Sequence, residues 1–359
     1  MKNMKTTRIF YLFLFCLVLH FFALPVTISA QSVDFNFSPR LWGLDLLVTI
    51  NNFPFSFENL GLFKALIGFG GGYEDYGYFR DSNNDYLVYQ ENSTYSFNFK
   101  RVNFLGSLGF GFDFLANEKI GHHLFCLKIL YCADYQSYEN TNDGKETYLY
   151  QTSLAEKEGI FQNSILFSIY FNLLKISSKT HSIKGMDLYL SYKMYPHLMN
   201  NLSDYSALTF QFRGYLPFIE DEKISVYIAN RFHLYYIPLS SGYIPVSALT
   251  EGSLGCAMRG IYWCQYEGTF RLVNNLDIRI FFPEIFKQNY IYPGIIIFFD
   301  IGVNDYKHLD QVISTENIQY STGIGAILVV MGIDLVDFYI EYNIKDSQLF
   351  LRLRFSTFF

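Results

Sequence analysis

From about Trp42 onward the chain alternates apolar and polar residues with a period of two, in segments broken by polar or glycine-rich turns. This pattern limits the fold more than any other feature, because successive side chains of a strand point to opposite faces and a two-residue period therefore writes half-apolar strands. In Met186 to Tyr195, Met186, Leu188, Leu190, Tyr192 and Met194 share one face, and Asp187, Ser191 and Lys193 share the other. Leu208, Phe210 and Phe212 oppose Thr209, Gln211 and Arg213; Ile224, Val226, Ile228 and Phe232 oppose Ser225, Arg231 and His233. In the next segment Phe270, Leu272, Leu276, Ile278 and Ile280 face away from Arg271, Asn275, Asp277 and Arg279. Near the end, Val336, Phe338, Ile340 and Tyr342 oppose Asp337, Tyr339, Glu341 and Asn343, and Leu351, Leu353, Phe355 and Phe359 oppose Arg352, Arg354 and Ser356. No segment has the period of an amphipathic helix, so the expectation is one all-β domain.

Earlier strands are expected near Leu44 to Ile50, Gly61 to Gly72, Tyr86 to Phe99, Val102 to Phe114, His122 to Tyr135, Thr147 to Ser153 and Gln162 to Phe171. Gly68-Phe69-Gly70-Gly71-Gly72 is not a phosphate loop, since no Lys-Ser/Thr follows and no helix begins there; a strand bend fits it better. The total is about fifteen strands, and bacterial barrels close with an even number, so sixteen is the natural closure and fourteen the alternative.

Periodicity alone does not separate a soluble sandwich, with its apolar faces inward, from a transmembrane antiparallel β-barrel, with its apolar faces on lipid. Composition separates them. Aromatic residues make up 19% of the chain (38 Phe and 30 Tyr among them) and charged residues only 17%. A soluble core that size would be very large, whereas a barrel sets Phe, Leu and Ile against lipid and Tyr at the interfaces. A net charge of -6, with Lys and Arg scattered along the strands, gives no basic patch for nucleic acid.

The N-terminus supports export. Lys2, Lys5 and Arg8 precede an apolar run from Ile9 to Ala23, then Leu24-Pro25 and the small-residue end Ile28-Ser29-Ala30. This is a cleavable secretory signal over residues 1–30, with Gln31 as the expected mature terminus and the barrel over 31–359. Cys16 follows Phe15, where a lipoprotein signal needs a small residue, so lipidation is not expected. Of the remaining cysteines, Cys126 and Cys132 face one side of a single strand about 20 Å apart at roughly 3.3 Å per residue, too far to bridge. Cys256 and Cys264 flank Arg259-Gly260 in one loop, where an oxidising compartment permits a disulfide and two free thiols are the alternative.

That loop, at about 235–268, is the longest irregular connection in the second half, and its apolar content argues against a solvated coil. Met258-Arg259-Gly260-Ile261 within it, Asn275-Leu276-Asp277-Ile278-Arg279, Phe298-Phe299-Asp300-Ile301-Gly302, Gly323-Ile324-Gly325 and the stretch Tyr205 to Phe218 occur in order. Together they resemble the C-terminal half of the bacterial surface antigen superfamily, the barrels of outer-membrane assembly factors and two-partner secretion transporters. The resemblance covers roughly Asp204 to Phe359. It implies an inward-folded loop whose Arg259 pairs with Asp300, with Asp277 and Arg279 on the neighbouring strand and Gly302 completing the wall motif. Met258 stands for the family's Val, Ile261 for its aromatic and Asp277 for its Glu. The plainer reading makes Arg259 a solvated loop residue. The alternating final strand ending in Phe359, with Phe355 on the same face, resembles the signal by which assembly machinery recognises outer-membrane barrels.

The expected location is therefore the bacterial outer membrane, with its lipid and the assembly machinery as partners and a separately encoded periplasmic protein as a further one. Strand pattern begins about a dozen residues after the expected cleavage site, leaving no room for the polypeptide-transport-associated domains that precede such barrels. The expected function is loop-gated translocation or insertion of protein or lipid; a porin-like channel or a structural surface antigen is the alternative. No cofactor, metal or catalytic site is expected. Adjacent strand residues such as His122-His123 point to opposite faces, no Gly-x-Ser-x-Gly elbow occurs, and Ser191 and His197 are lipase candidates by residue type alone.

Overall fold

The computed structural model describes residues 32–40, 43–51, 56–57, 61–82, 86–87, 89–90, 92–117, 122–152, 156–176, 183–240, 243–283, 291–305, 317–330 and 333–354. The expected signal 1–30, Gln31 and the terminal Phe355 and Phe359 lie outside the described residues. A hairpin of β1 (Ser32–Arg40) and β2 (Gly43–Asn51) comes first. It is followed by β3 (Ser56–Phe57), β4 (Gly61–Gly77), β5 (Asn98–Asn117) and β6 (His122–Tyr138). The short hairpin β7 (Thr141–Asn142) and β8 (Lys145–Glu146) leads to β9 (Ile160–Asn172), β10 (Lys175–Ile176) and β11 (Ile183–Tyr195). The remaining strands are β12 (Tyr205–Glu220), β13 (Ser225–Ser240), β14 (Phe270–Phe281), β15 (Ile291–Asp305), β16 (Ile318–Val330), β17 (Ile333–Asn343) and β18 (Gln348–Arg354).

Fourteen of these strands form one antiparallel sheet in the order β18-β17-β16-β15-β14-β13-β12-β11-β9-β6-β5-β4-β3, with β10 paired to the start of β11. It is an up-and-down meander, and its connections differ by end. Long ones follow β4, β6, β13 and β15, whereas β12 turns into β13 across residues 221–224 and β16 into β17 across residues 331–332.

Polarity across the sheet is inverted relative to a soluble protein. On the outer face Phe110, Ile297, Phe299, Ile324, Ile340 and Leu353 are exposed, and Leu351 is 69% exposed. On the inner face Asn275, Asp277, Asp300, Ser321 and Glu341 are 0% exposed. An apolar cluster of Tyr215, Tyr227, Phe281, Tyr292, Ile296, Phe298, Ile327 and Tyr339 fills the inside near the short-turn end. A second, of Tyr78, Phe99, Tyr138, Leu149 and Val246, caps the long-loop end.

Three local expectations change. Tyr86 to Phe99, read as a strand, is mostly loop, tied by isolated bridges from Arg80 to Tyr86 and from Ser96 to Thr147. Its alternating aromatics pack on the cap instead: Tyr89 meets Tyr262 with ring centroids 4.2 Å apart and Phe97 meets Tyr148 at 4.7 Å. Thr147 to Ser153 contains a short helix, Tyr148–Gln151, whose Leu149 is fully buried. β13 runs on to Ser240, so the long loop begins later than residue 235.

Candidate functional site

The connection from β13 to β14 folds back against the inner face. It holds a short helix, Val246–Glu251, and a 3-10 turn, Leu254–Cys256. Leu254, Ala257, Met258 and Ile261 pack with Val273 of β14 in a small buried cluster, so apolar burial helps to seat the loop. Gly302 makes room for it: a Cβ there would lie 2.9 Å from Leu254 Cδ2 and 3.0 Å from Met258 Sδ.

Arg259 sits at the tip and is fully buried. Its Nε donates to Asp300 Oδ2 at 2.9 Å and one terminal nitrogen to Asp300 Oδ1 at 2.6 Å, a bidentate pair. The same terminal nitrogen reaches Asp277 Oδ1 at 2.5 Å, and the Arg259 backbone N–H donates to Asp300 at 3.0 Å. Asp277 is shared, since Arg279 donates to its other oxygen at 3.0 and 3.2 Å. The guanidinium lies 3.8 Å from the Phe298 ring centroid and 5.8 Å from that of Tyr339. Burial alone disfavours the charge, but Asp277 and Asp300 outweigh it and hold the Arg259 pKa above its ordinary value.

Gly260 turns the chain with φ +73°, and its N–H donates to Glu341 Oε2 at 2.7 Å. Glu341 also lies 3.4 Å from Arg352, which donates to the Ile261 carbonyl at 2.7 Å. Three guanidinium groups (Arg259, Arg279, Arg352) thus face three carboxylates (Asp277, Asp300, Glu341), a locally neutral set. Further up, Arg231 and Asn275 both donate to the Ala257 carbonyl, at 2.7 and 3.1 Å. Arg271 donates to the carbonyls of Glu251 and Ser253, and Tyr235 to that of Ala248. The strand wall therefore satisfies loop carbonyls that water would otherwise have to reach.

The structure brings Arg259, Gly260, Asp300, Asp277, Arg279 and Gly302 together in this latch. Sequence reasoning did not single out Glu341, Arg352 or Arg231, nor the stacking role of Phe298 and Tyr339. Their signal was the strand parity, which already placed Glu341 and Arg352 on the polar face of their strands. Gly323 and Gly325 were noted only as a motif. A Cβ at Gly323 would lie 2.7 Å from the Phe298 ring, and one at Gly325 2.6 Å from the Tyr339 ring, so the two glycines leave the slots these rings occupy.

One solved structure carries the comparison. The chain is similar to the crystal structure of BamA from Haemophilus ducreyi lacking POTRA domains 1-3, with a TM-score of 0.52 and 14% identity over 89% of this chain. The fold is that of a BamA-like barrel. The chain spans 62% of the length of that BamA structure. No protein-family profile matches it, and no curated protein does.

In this BamA-like frame the latch occupies the lumen beside the second half of the wall. Beside it lies a polar cavity of about 470 Å³ lined by Arg101, Asp134, Gln162, Lys193, Glu251 and Arg271 among others. A second, of about 400 Å³, shares Tyr189, Lys193, Thr209 and Glu251 with the first. Ser191 sits mid-strand in β11, whereas His197 lies beyond its end with Nδ1 2.6 Å from the Asn201 carbonyl. Among the described residues no group of three or more His, Cys, Asp or Glu side chains is arranged to hold a metal ion. Cys256 and Cys264 are both free thiols.

Proposed function

We propose that the chain is an integral outer-membrane β-barrel of the surface-antigen type, closed with sixteen strands or, alternatively, fourteen. Its loop-plugged lumen serves translocation or insertion of protein or lipid. The observation that carries this reading is the inverted polarity combined with the latch. An outer face of Phe, Ile and Leu this extensive is a liability in water and a requirement in lipid, while the ion network inside is shielded from both. Long loops at one end and short turns at the other suit an outer-membrane orientation.

The latch fixes the loop on β14, β15 and β17, and the sheet order ends at β18. A seam at the end of the sheet order beside a plugged lumen suits a lateral opening: the seam parts while the loop stays seated. Outer-membrane lipid is the surrounding partner, the assembly machinery acts during biogenesis through the C-terminal sequence that carries Phe355 and Phe359, and a separate periplasmic protein delivers clients.

A second reading, a porin-like channel, draws on the two cavities beside the loop, the larger of them polar. Single-channel conductance of the refolded barrel in planar bilayers separates the two. The plugged reading expects a small, flickering parent conductance that becomes large and steady in Arg259→Ala. A large, steady parent conductance that Arg259→Ala leaves unchanged overturns it in favour of the channel.

A further inference from the structure

Cys256 and Cys264, eight residues apart, sit on the two legs of the tip that carries Arg259-Gly260. The legs are tied to each other: the Leu254 N–H donates to the Tyr266 carbonyl at 3.1 Å, and the Gly255 N–H to the Gln265 carbonyl at 3.0 Å. Cys256 and Cys264 follow next along the two legs toward the tip, and their sulfurs stand 4.0 Å apart. Gly255 allows the approach, since a Cβ there would lie 2.0 Å from the Tyr262 carbonyl oxygen and 2.9 Å from the Cys264 nitrogen. A sulfur–sulfur bond of about 2.05 Å requires the two sulfurs to close from 4.0 Å.

The two thiols differ in access. Cys264 is fully buried, whereas Cys256 is half-buried and forms part of the wall of the 470 Å³ cavity, near Glu251 and Arg271. A hydrogen bond from Cys264, opposed by burial and assisted by the Arg271 charge, holds the Cys256 thiol below its ordinary value. Burial pushes the Cys264 thiol up. One sulfur is thus poised to attack and the other is held behind it.

We infer that Cys256 and Cys264 form a thiol–disulfide exchange site for small disulfides that enter the lumenal cavity, and that its oxidation closes a covalent ring around the Arg259-Gly260 latch. The Cys256 thiolate attacks one sulfur of the small disulfide, whose S–S bond breaks and releases one thiolate. Cys264 then gives up its proton to that thiolate and attacks the Cys256 sulfur, expelling the second small thiolate. Two cysteine thiols are oxidised to one disulfide, and one small disulfide is reduced to two thiols. The closed ring restricts the tip whenever the latch opens, so the oxidised loop reseats where the reduced loop can unravel. The site does not depend on what the barrel transports.

The test treats the folded full chain in detergent with oxidised glutathione, quenches with acid and maps cysteine peptides by mass spectrometry. The parent is expected to pass through a transient glutathione adduct on Cys256 to an internal Cys256–Cys264 disulfide. The adduct should form several-fold faster at pH 8 than at pH 6, following the thiolate fraction. Cys264→Ser should trap the adduct on Cys256, and Cys256→Ser should leave Cys264 unmodified. If Cys264→Ser does not fold, the parent time course alone decides. A stable Cys256 adduct without the internal bond overturns the proposal, and so does equal or faster modification of Cys126 or Cys132. So does a folded parent that stays reduced while the urea-unfolded chain reacts. Because the readout is covalent, none of these outcomes depends on conductance, so this proposal and the plugged-barrel reading fail separately.

Discussion

Beside β14 to β17 the lumen is filled by the loop and an aromatic cluster, whereas two cavities lie mainly beside β4 to β12, the larger of them also reaching His233, Arg271 and the loop. Both halves of the wall present charged side chains inward, so composition does not make the difference. The loop does. On the filled side every latch carboxylate meets a guanidinium delivered or braced by the loop. On the open side Arg101 rests 3.8 Å over the Tyr76 ring and Lys193 4.9 Å over that of Tyr195, wall residues stacked on wall residues. A barrel can thus be packed along one arc and leave cavities along the other, with a single loop marking the boundary.

The strongest way to break this contrast is to remove one ion-pair cation from each side. Arg259→Ala leaves Asp277 and Asp300 fully buried with a cation lost, and should cost about 3–5 kcal/mol of barrel stability. Arg213 on β12 makes a comparable two-point bond to Asp187 of β11, but its side chain is 22% exposed. Water can replace part of it, so Arg213→Ala should cost only about 1–2 kcal/mol. Urea titration of heat-modifiable gel migration reads both. Equal losses would mean that the latch is no more than another lumenal ion pair.

Gly260→Ala probes the same arc with no change of charge. The left-handed backbone disfavours a side chain by about 1–2 kcal/mol, and its Cβ would sit 2.8 Å from Ser321 Cβ. The expected result is a destabilisation intermediate between those of Arg259→Ala and Arg213→Ala, with protease cleavage confined to the loop. Cleavage elsewhere would contradict a tip seated on β16.

How much of this was readable from the sequence depends on range. The inward and outward faces of β14, β15 and β17 follow from parity alone, and Arg259 and Asp300 from the motif likeness. Glu341 and Arg352 were on the page as polar-face residues, yet their meeting with Gly260 and Ile261 was not. The cross-strand row Asp277, Phe298, Gly323, Glu341 is set by the register of four strands, which turn lengths fix and local pattern does not encode. Tyr86 to Phe99 failed for the converse reason. Its alternation is genuine, but the aromatics pack on loop residues rather than across a sheet.

The loop also reaches the open half, through Glu156. This fully buried carboxylate accepts a hydrogen bond from the Val246 N–H at the start of the loop helix, and burial raises its pKa from 4.5 to about 7. The folded state therefore holds the proton more tightly than the unfolded chain. Its contribution is fully present below about pH 4.5 and is lost as pH rises through about 7. Thermal stability should fall across that window in the parent by the equivalent of about 1–3 kcal/mol and stay flatter in Glu156→Gln. Parallel curves would remove Glu156 as the tie between the loop and the open half.

The smallest effect is expected where the loop leaves the lumen. Tyr266 donates its hydroxyl to Asp346 at 2.7 Å, beside the β17–β18 turn, and its ring stacks on Tyr86 with centroids 4.9 Å apart. Tyr266→Phe keeps the stack and deletes one hydrogen bond at the loop rim, where water can solvate Asp346, so about 0.5–1.5 kcal/mol is at stake. Because the bond joins the loop to the last hairpin, its loss should appear less in global stability than in faster hydrogen exchange of the β18 amides, with those of β14 unchanged. Uniform acceleration across both strands would place the loop's anchorage in the rim and not in the Arg259 latch, reversing the ranking drawn above.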